Sequence, residues 1–228
     1  MDALAGRPKG VTLKLNLGAG KVTFPMTDER RAALHPLTPI PVNFQDTDWL
    51  NVDHFDMPGI DIVTDLFRFP WEFDDNSVDE IWCSHLIEHI PHETRRSDAR
   101  QTDAANARWD AIKHLDGFFA FFAEVYRILK PGGAIAISCP YGLSTEAMQD
   151  PTHTRFIVPK TFGYLAGGDE EHYNYHTPFK FRVGENVGDL SLSMNPRVQA
   201  FPHEQQMDAA ETMFNMAREI RIVLYAVK

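Results

Sequence analysis

Apolar positions along this chain recur with two periods, and the switching between them predicts the architecture. Residues 11–17 (VTLKLNL) alternate and then turn apolar, the pattern of a strand entering the middle of a sheet. Gly18-Ala19-Gly20 breaks that strand sharply. Shorter apolar pieces follow at residues 50–52, closed by Asp53, and at residues 60–63, which lead to Asp65 and Leu66. Asp74-Asp75-Asn76-Ser77 marks a turn, because such side chains bond nearby backbone. Residues 78–83 read as the next strand, with a helix beginning near Ser84.

Helical spacing is strongest further on. Phe118, Phe122, Val125, Tyr126 and Leu129 share one helical face, which predicts a helix packed on a sheet. Lys130-Pro131-Gly132-Gly133 stops it, and residues 134–138 read as a buried strand. Residues 93–116 are polar and Ala-rich, the composition of an exposed helical insertion. Pro159-Lys160-Thr161 opens a short helix that Gly167-Gly168 ends, and residues 169–203 read as loops and short strands. A last helix over residues 208–217 precedes an apolar strand at residues 220–227. Between the first two strands, Pro36, Pro39 and Pro41 exclude a long helix, although Thr27-Asp28-Glu29-Arg30 suits the start of a short one.

Strands alternating with helices, without a repeat or a clear linker, predict one α/β domain over residues 1–228. The expected form is Rossmann-like: a mainly parallel central sheet, helices on both faces, and an antiparallel strand at the C-terminal end. Segments 21–48, 93–116 and 142–203 are the expected inserts or lids.

Composition narrows the function classes. Apolar residues make up 43% and charged residues 24%, enough to bury a core and unlike a disordered chain. No stretch of about 20 apolar residues exists to span a bilayer, and the start MDALAGRPKG lacks the apolar core of a signal peptide. Cys83 and Cys139 lie inside strands without CxxC spacing and read as reduced, buried residues, so we expect a cytoplasmic chain. The net charge of −10 argues against a nucleic-acid partner. Arg95, Arg96 and Arg100 alternate with Glu93, Asp98 and Asp103, as on a solvated face.

A glycine turn after a strand suits many nucleotide sites. The dinucleotide fingerprint needs a third glycine where this chain has Thr23, so a pyrophosphate site is disfavoured. What survives is a turn that lets a ligand approach backbone closely. The order of LNLGAG, NVD, DIVTDL, DDNSVDEIWCSHLIEHI and EVYRILKPGGAIAISCP adds specificity. This series resembles the class I S-adenosylmethionine-dependent methyltransferases, particularly small bacterial methyltransferase-like proteins, over about residues 12–141.

The resemblance implies S-adenosylmethionine as cofactor and assigns roles. Leu17, Gly18, Ala19 and Gly20 would lie beneath its amino-acid part and ribose. Asp53 would accept bonds from the ribose hydroxyls, Asp65 from the adenine amino group, and Leu66 would give backbone and an apolar wall. Ser84 and His85 would stand at the carboxyl edge of the sheet. His153, after the fifth strand, is the candidate general base toward the acceptor, with a backbone-bonded structural turn at residues 150–153 as its rival reading. His172 and His176 are further candidates. Without an Asp-Pro-Pro-Tyr-like motif after the fourth strand, we expect a small-molecule or sugar-linked acceptor.

Two other classes fit parts of the chain. His85-Leu86-Ile87-Glu88-His89 matches the H-x-x-E-H zinc signature, in which a helix sets both histidines one turn apart. No larger peptidase framework accompanies it, and no metal ligand is assigned. A noncatalytic methyltransferase-like binding or scaffold protein fits the departure after Gly20.

Overall fold

The computed structural model describes residues 12–33, 41, 43–98, 102–166, 177, 179–185 and 190–228. Gly167-Gly168, Arg100, His172, His176, Pro36 and Pro39 lie outside the described residues.

The described residues form ten strands: β1 (Lys14–Leu17), β2 (Trp49–Asp53), β3 (Ile62–Val63), β4 (Arg68–Phe69), β5 (Val78–Ser84), β6 (Arg95–Arg96), β7 (Leu129–Pro140), β8 (Lys180–Val183), β9 (Leu190–Met194) and β10 (Ala217–Val227). The helices are α1 (Asp28–Ala33), α2 (Asp103–Ile112), α3 (Gly117–Ile128), α4 (Thr145–Met148), α5 (Gly163–Ala166) and α6 (His203–Thr212). The main sheet runs β3-β2-β1-β5-β7-β10-β8, with β9 also paired to β10. Every pairing from β3 to β7 is parallel, and β10 is antiparallel to β7, as expected for the last strand. On its far edge β10 pairs with β9 through residues 217–222 and with β8 through residues 224–227. A separate short parallel pair joins β4 to β6.

Register and the two-residue period divide the sheet into unlike faces. Leu15 stands beside Leu50 and Ile81, Ile81 beside Ile135, and Ile135 beside Leu224. These five residues are buried and form one apolar face. On α3, Phe118, Phe121, Phe122, Val125 and Ile128 join the same core, so the stripe read from the sequence is packing. Asp116 caps that helix by accepting from Phe118 N–H (2.8 Å).

The other face carries Lys14, Asn16, Asn51, Glu80 and Trp82 by the same register. Over it the segment after β1 lays Phe24 and Met26 on Trp49, with Val22, Phe44 and Trp82 at the margin. Among its described residues the segment forms α1, which buries none of its residues.

Three expectations about elements change. The helix expected from Ser84 is absent: β5 continues through Ser84, and His85 N–H donates to Ser138 O (2.8 Å), extending the pairing with β7. His85 then turns at φ +51°, and with Pro91 ahead only a 3-10 turn forms, Ile87–His89. The helix expected over residues 208–217 lies earlier, because Ala217 already begins β10 and Asn215 reverses the chain at φ +67°. The polar insertion at residues 93–116 includes a strand, β6, besides α2. Among the described residues no helix is long and apolar enough to cross a membrane.

Candidate functional site

The site grows from the end of β1. Gly18 turns at φ +68° and Gly20 at φ +52°, conformations that side-chain-bearing residues rarely adopt. The turn spends its own amides. Gly18 and Ala19 N–H both donate to Val52 O (2.9 and 3.1 Å), and Gly20 N–H donates to Asp53 Oδ2 (2.9 Å). No fan of free N–H groups therefore remains to cradle a phosphate, which agrees with Thr23 standing where a third glycine is needed. Asn16 holds the chain beyond the turn, its Nδ2 donating to Val22 O (2.7 Å) and to Asn51 Oδ1 (3.0 Å).

A cavity of about 500 Å³ opens against this turn. Asn16, residues 18–22, Trp82, Ser84 and His85 form its near wall; Glu146, Ser193, Arg218 and Glu219 form its far wall. The far wall arises because β10 returns antiparallel beside β7 and carries Glu219 opposite Pro140 and Ser193. Arg218 Nε donates to Glu146 Oε1 (2.6 Å), and Arg221 Nε donates to Glu219 Oε1 (2.7 Å). His85 bridges two carboxylates, with Nε2 3.2 Å from Glu219 Oε2 and Nδ1 3.4 Å from Glu88 Oε1. Partial burial opposes charge on its ring, but Glu219 and Glu88 outweigh this and raise its pKa to about 9. His85 is thus a cation at neutral pH. The Cys83 and Cys139 thiols are buried and their pKa values pushed well up, by burial first and the Glu88 charge second, so both are unreactive.

The residues singled out in the sequence fall into four places. Gly18, Ala19, Gly20, Ser84 and His85 meet at the cavity. Leu17 and Asp53 lie just behind it, buried, Asp53 held by Gly20 N–H and by Phe55 N–H (3.0 Å). Asp65 borders a different cavity, of about 340 Å³, beside Arg68, Trp71 and Asp98. Its Oδ1 accepts from Phe67 N–H (2.9 Å), while Leu66 is buried and its carbonyl accepts from Trp71 Nε1 (3.2 Å). His153 is outside the main cavity's lining, with Nδ1 2.8 Å from Ala147 O and its ring 4.7 Å from that of His89.

The sequence did not single out Asn16, Trp82, Arg218 or Glu219, whereas Lys21, Val22, Glu146 and Ser193 fall within the segments 21–48 and 142–203 expected as inserts or lids. Asn16 had a signal, a lone amide in an apolar strand. Arg218 and Glu219 had none, since only the antiparallel pairing of β10 with β7 and β9 brings them to the cavity.

The chain superposes on a SAM-dependent methyltransferase from Archaeoglobus fulgidus with a TM-score of 0.50 at 15% identity, over 95% of this chain and 87% of that one. The fold is the class I methyltransferase fold. Similar structures also include an S-adenosylmethionine-dependent methyltransferase from Mesorhizobium loti (TM-score 0.44, 13% identity, 98% and 95% covered). Another is Haemonchus contortus phosphoethanolamine N-methyltransferase 2 in complex with S-adenosyl-L-methionine (TM-score 0.45, 16% identity, 98% and 50% covered). No protein-family model matches the chain, and no curated protein matches it.

The H-x-x-E-H alternative fails on geometry, since it needs His85 and His89 one turn apart on a helix. Residues 84–86 are not helical; His85 turns to Glu219, while His89 Nδ1 lies 3.0 Å from Thr152 Oγ1.

Proposed function

We propose that the chain is an S-adenosylmethionine-dependent methyltransferase of one domain, acting on a small-molecule or sugar-linked acceptor. The observation that carries this reading is the cavity at the carboxyl edge of β1 and β5, on a methyltransferase fold. Open α/β sheets take their ligands at that edge, and about 500 Å³ lies within the range of small-molecule sites. A Cβ placed on Gly20 would meet nothing within 4 Å, so the turn leaves open space where a ligand would rest.

In this reading Leu17 and the Gly18-Ala19-Gly20 turn lie beneath the amino-acid part and the ribose. Asp53 accepts from the ribose hydroxyls, using a lone pair on Oδ2 beyond the one given to Gly20 N–H. Asp65 and Leu66 serve the adenine, and Ser84 and His85 border the reacting end. S-adenosylmethionine, when bound, supplies an electrophilic methyl group on a sulfonium.

The chain's own part is positioning. Arg218, Glu146, Ser193 and Glu219 offer a polar wall of paired charges, suited to a hydroxylated or amino acceptor. His85, protonated between Glu219 and Glu88, donates a hydrogen bond to Glu219 and does not act as a base. His153 lies outside the lining of the cavity, so it has no base role in this reading.

Calorimetric titration with S-adenosylmethionine and S-adenosylhomocysteine tests the reading. Saturable binding of either is expected, followed by transfer of labelled methyl to a polar acceptor in a screen. Folded protein that binds neither would overturn it.

A further inference from the structure

We infer that Glu88, His89 and His153 form a binding site for one divalent transition-metal ion of the zinc class. One donor atom from each side chain lies within 4.8 Å of one from each of the others. Three donors at roughly 2.1 Å from zinc stand ~3.4 Å apart, so small side-chain rotations close the set.

The independent observation is Glu88. It is 1% exposed, and neither carboxylate oxygen has a hydrogen-bond partner. Its nearest cation, His85 Nδ1, is 3.4 Å from Oε1 but outside hydrogen-bonding geometry. Buried carboxylates are almost always hydrogen-bonded, ion-paired in good geometry, or bound to a metal. Glu88 thus directs a buried carboxylate without a hydrogen-bond partner into the space shared with two imidazoles.

Those imidazoles are prepared as ligands. His89 Nδ1 faces Thr152 O (3.3 Å) and Thr152 Oγ1 (3.0 Å). The Thr152 hydroxyl already donates to Asp150 Oδ1 (2.6 Å), so it accepts from His89, whose Nδ1 must carry the proton. His153 Nδ1 faces a carbonyl, Ala147 O at 2.8 Å, and must carry its proton too. Both rings therefore hold their lone pair on Nε2. Fixing the tautomer through a carbonyl or hydroxyl is how metal-binding histidines are oriented. Asp150 Oδ2, 4.0 Å from His153 Nε2, is the other carboxylate facing this ring.

Hydrogen bonds tie the two ligand-bearing loops to each other. Thr154 N–H donates to Glu88 O (2.8 Å), Thr154 Oγ1 donates to Ile90 O (2.6 Å), and Arg155 Nε donates to the same carbonyl (2.9 Å). The loops after β5 and β7 are thereby locked together with their ligands facing one another. Two imidazoles and a carboxylate suit zinc, cobalt or iron better than magnesium or calcium, and leave at least one coordination position open. Because Glu88 also touches His85, the ion would sit one side chain behind the cavity wall.

The test uses the full chain, stripped with a chelator and titrated with Zn²⁺ and with Co²⁺. One ion per chain is expected, and bound Co²⁺ should show the intense visible bands of four- or five-coordination. Glu88→Gln, His89→Ala and His153→Ala should each weaken binding about tenfold or more, while His85→Gln should keep the one-to-one stoichiometry. Failure of the wild type to bind either ion, a weak six-coordinate cobalt spectrum, or undiminished binding in the three ligand variants would each overturn the site. The cobalt spectrum of the wild type decides the matter even where a variant does not fold.

Discussion

The backbone N–H of Gly20 donates a 2.9 Å hydrogen bond to Oδ2 of Asp53, so the acid ending β2 closes the glycine turn ending β1. Asp53 is 6% exposed, and its other oxygen accepts from Phe55 N–H at 3.0 Å. The carboxylate therefore shapes the cavity's floor before any ligand arrives.

Asp53→Ala leaves the Gly20 and Phe55 amides without their acceptor. We expect it to lower stability and to weaken S-adenosylmethionine binding by about 1–3 kcal/mol, as for a lost charged hydrogen bond. Urea unfolding and calorimetry check the two effects separately. Unchanged affinity in a folded variant would remove Asp53 from the site.

The two glycines of the turn should respond differently to alanine. Both take positive φ, where a Cβ costs roughly 1–2 kcal/mol. At Gly18 the added carbon would also stand 3.0 Å from Leu86 Cδ1, whereas at Gly20 it meets nothing within 4 Å. Gly18→Ala should be the more destabilising change, and Gly20→Ala the more damaging to cofactor affinity because its methyl enters the open space. Equal losses of affinity from the two variants would contradict the placement of the ligand over Gly20.

What the sequence made legible was local. The LNLGAG turn, the strand after Asp74-Asp75-Asn76-Ser77 and the aromatic face of α3 each combine a short-range signal with its own period, and all form where expected. The segment after Ser84 misled for a physical reason. His85 and His89 have the spacing of one helical turn, but His85 N–H is claimed by Ser138 O, a partner that only the parallel pairing of β5 and β7 supplies. The same error paired His85 with His89; the folded chain instead pairs His89 with His153. Arg218 and Glu219 stayed hidden because only the antiparallel return of β10 brings them to the cavity.

Asn51 holds the segment that covers the polar face of the sheet. Its Nδ2 donates to Phe24 O (2.5 Å) and Asp61 Oδ2 (3.0 Å), while Oδ1 accepts from Phe24 N–H (2.7 Å) and Asn16 Nδ2 (3.0 Å). Asn51→Ala strands several buried groups and should cost roughly 2–3 kcal/mol. Limited proteolysis should then cut faster within residues 21–48. A cleavage rate equal to that of wild type would show that the segment is held by Phe24, Met26 and Trp49 packing alone.

Asp75 sets an acid-dependent part of stability. Partial burial opposes its charge, but Arg127 Nη1 at 2.6 Å and Arg108 Nη2 at 2.9 Å outweigh this and hold its pKa below the usual carboxylate range. A folded-state pKa depressed in this way gives stability that is present above the unfolded value of about 4 and is lost as pH falls through the lower folded value. Asp75→Asn should therefore flatten the acid limb of a stability–pH curve while changing its shape little near pH 7. Parallel acid limbs in the two proteins would refute the assignment.

His85 links the cavity wall to Glu88, and its removal should expose how much Glu88 depends on that cation. Breaking a buried pair costs about 3–5 kcal/mol, but the His85 side chain is 45% exposed, so water screens the interaction. For His85→Gln in chelator-stripped protein we expect a loss of about 1–2 kcal/mol. Glu219 keeps Arg221, so most of this loss should come from Glu88. Adding Glu88→Gln to His85→Gln removes the stranded charge and should recover part of the stability, giving a non-additive double-mutant cycle. Additive losses in that cycle would mean that Glu88 is compensated without His85.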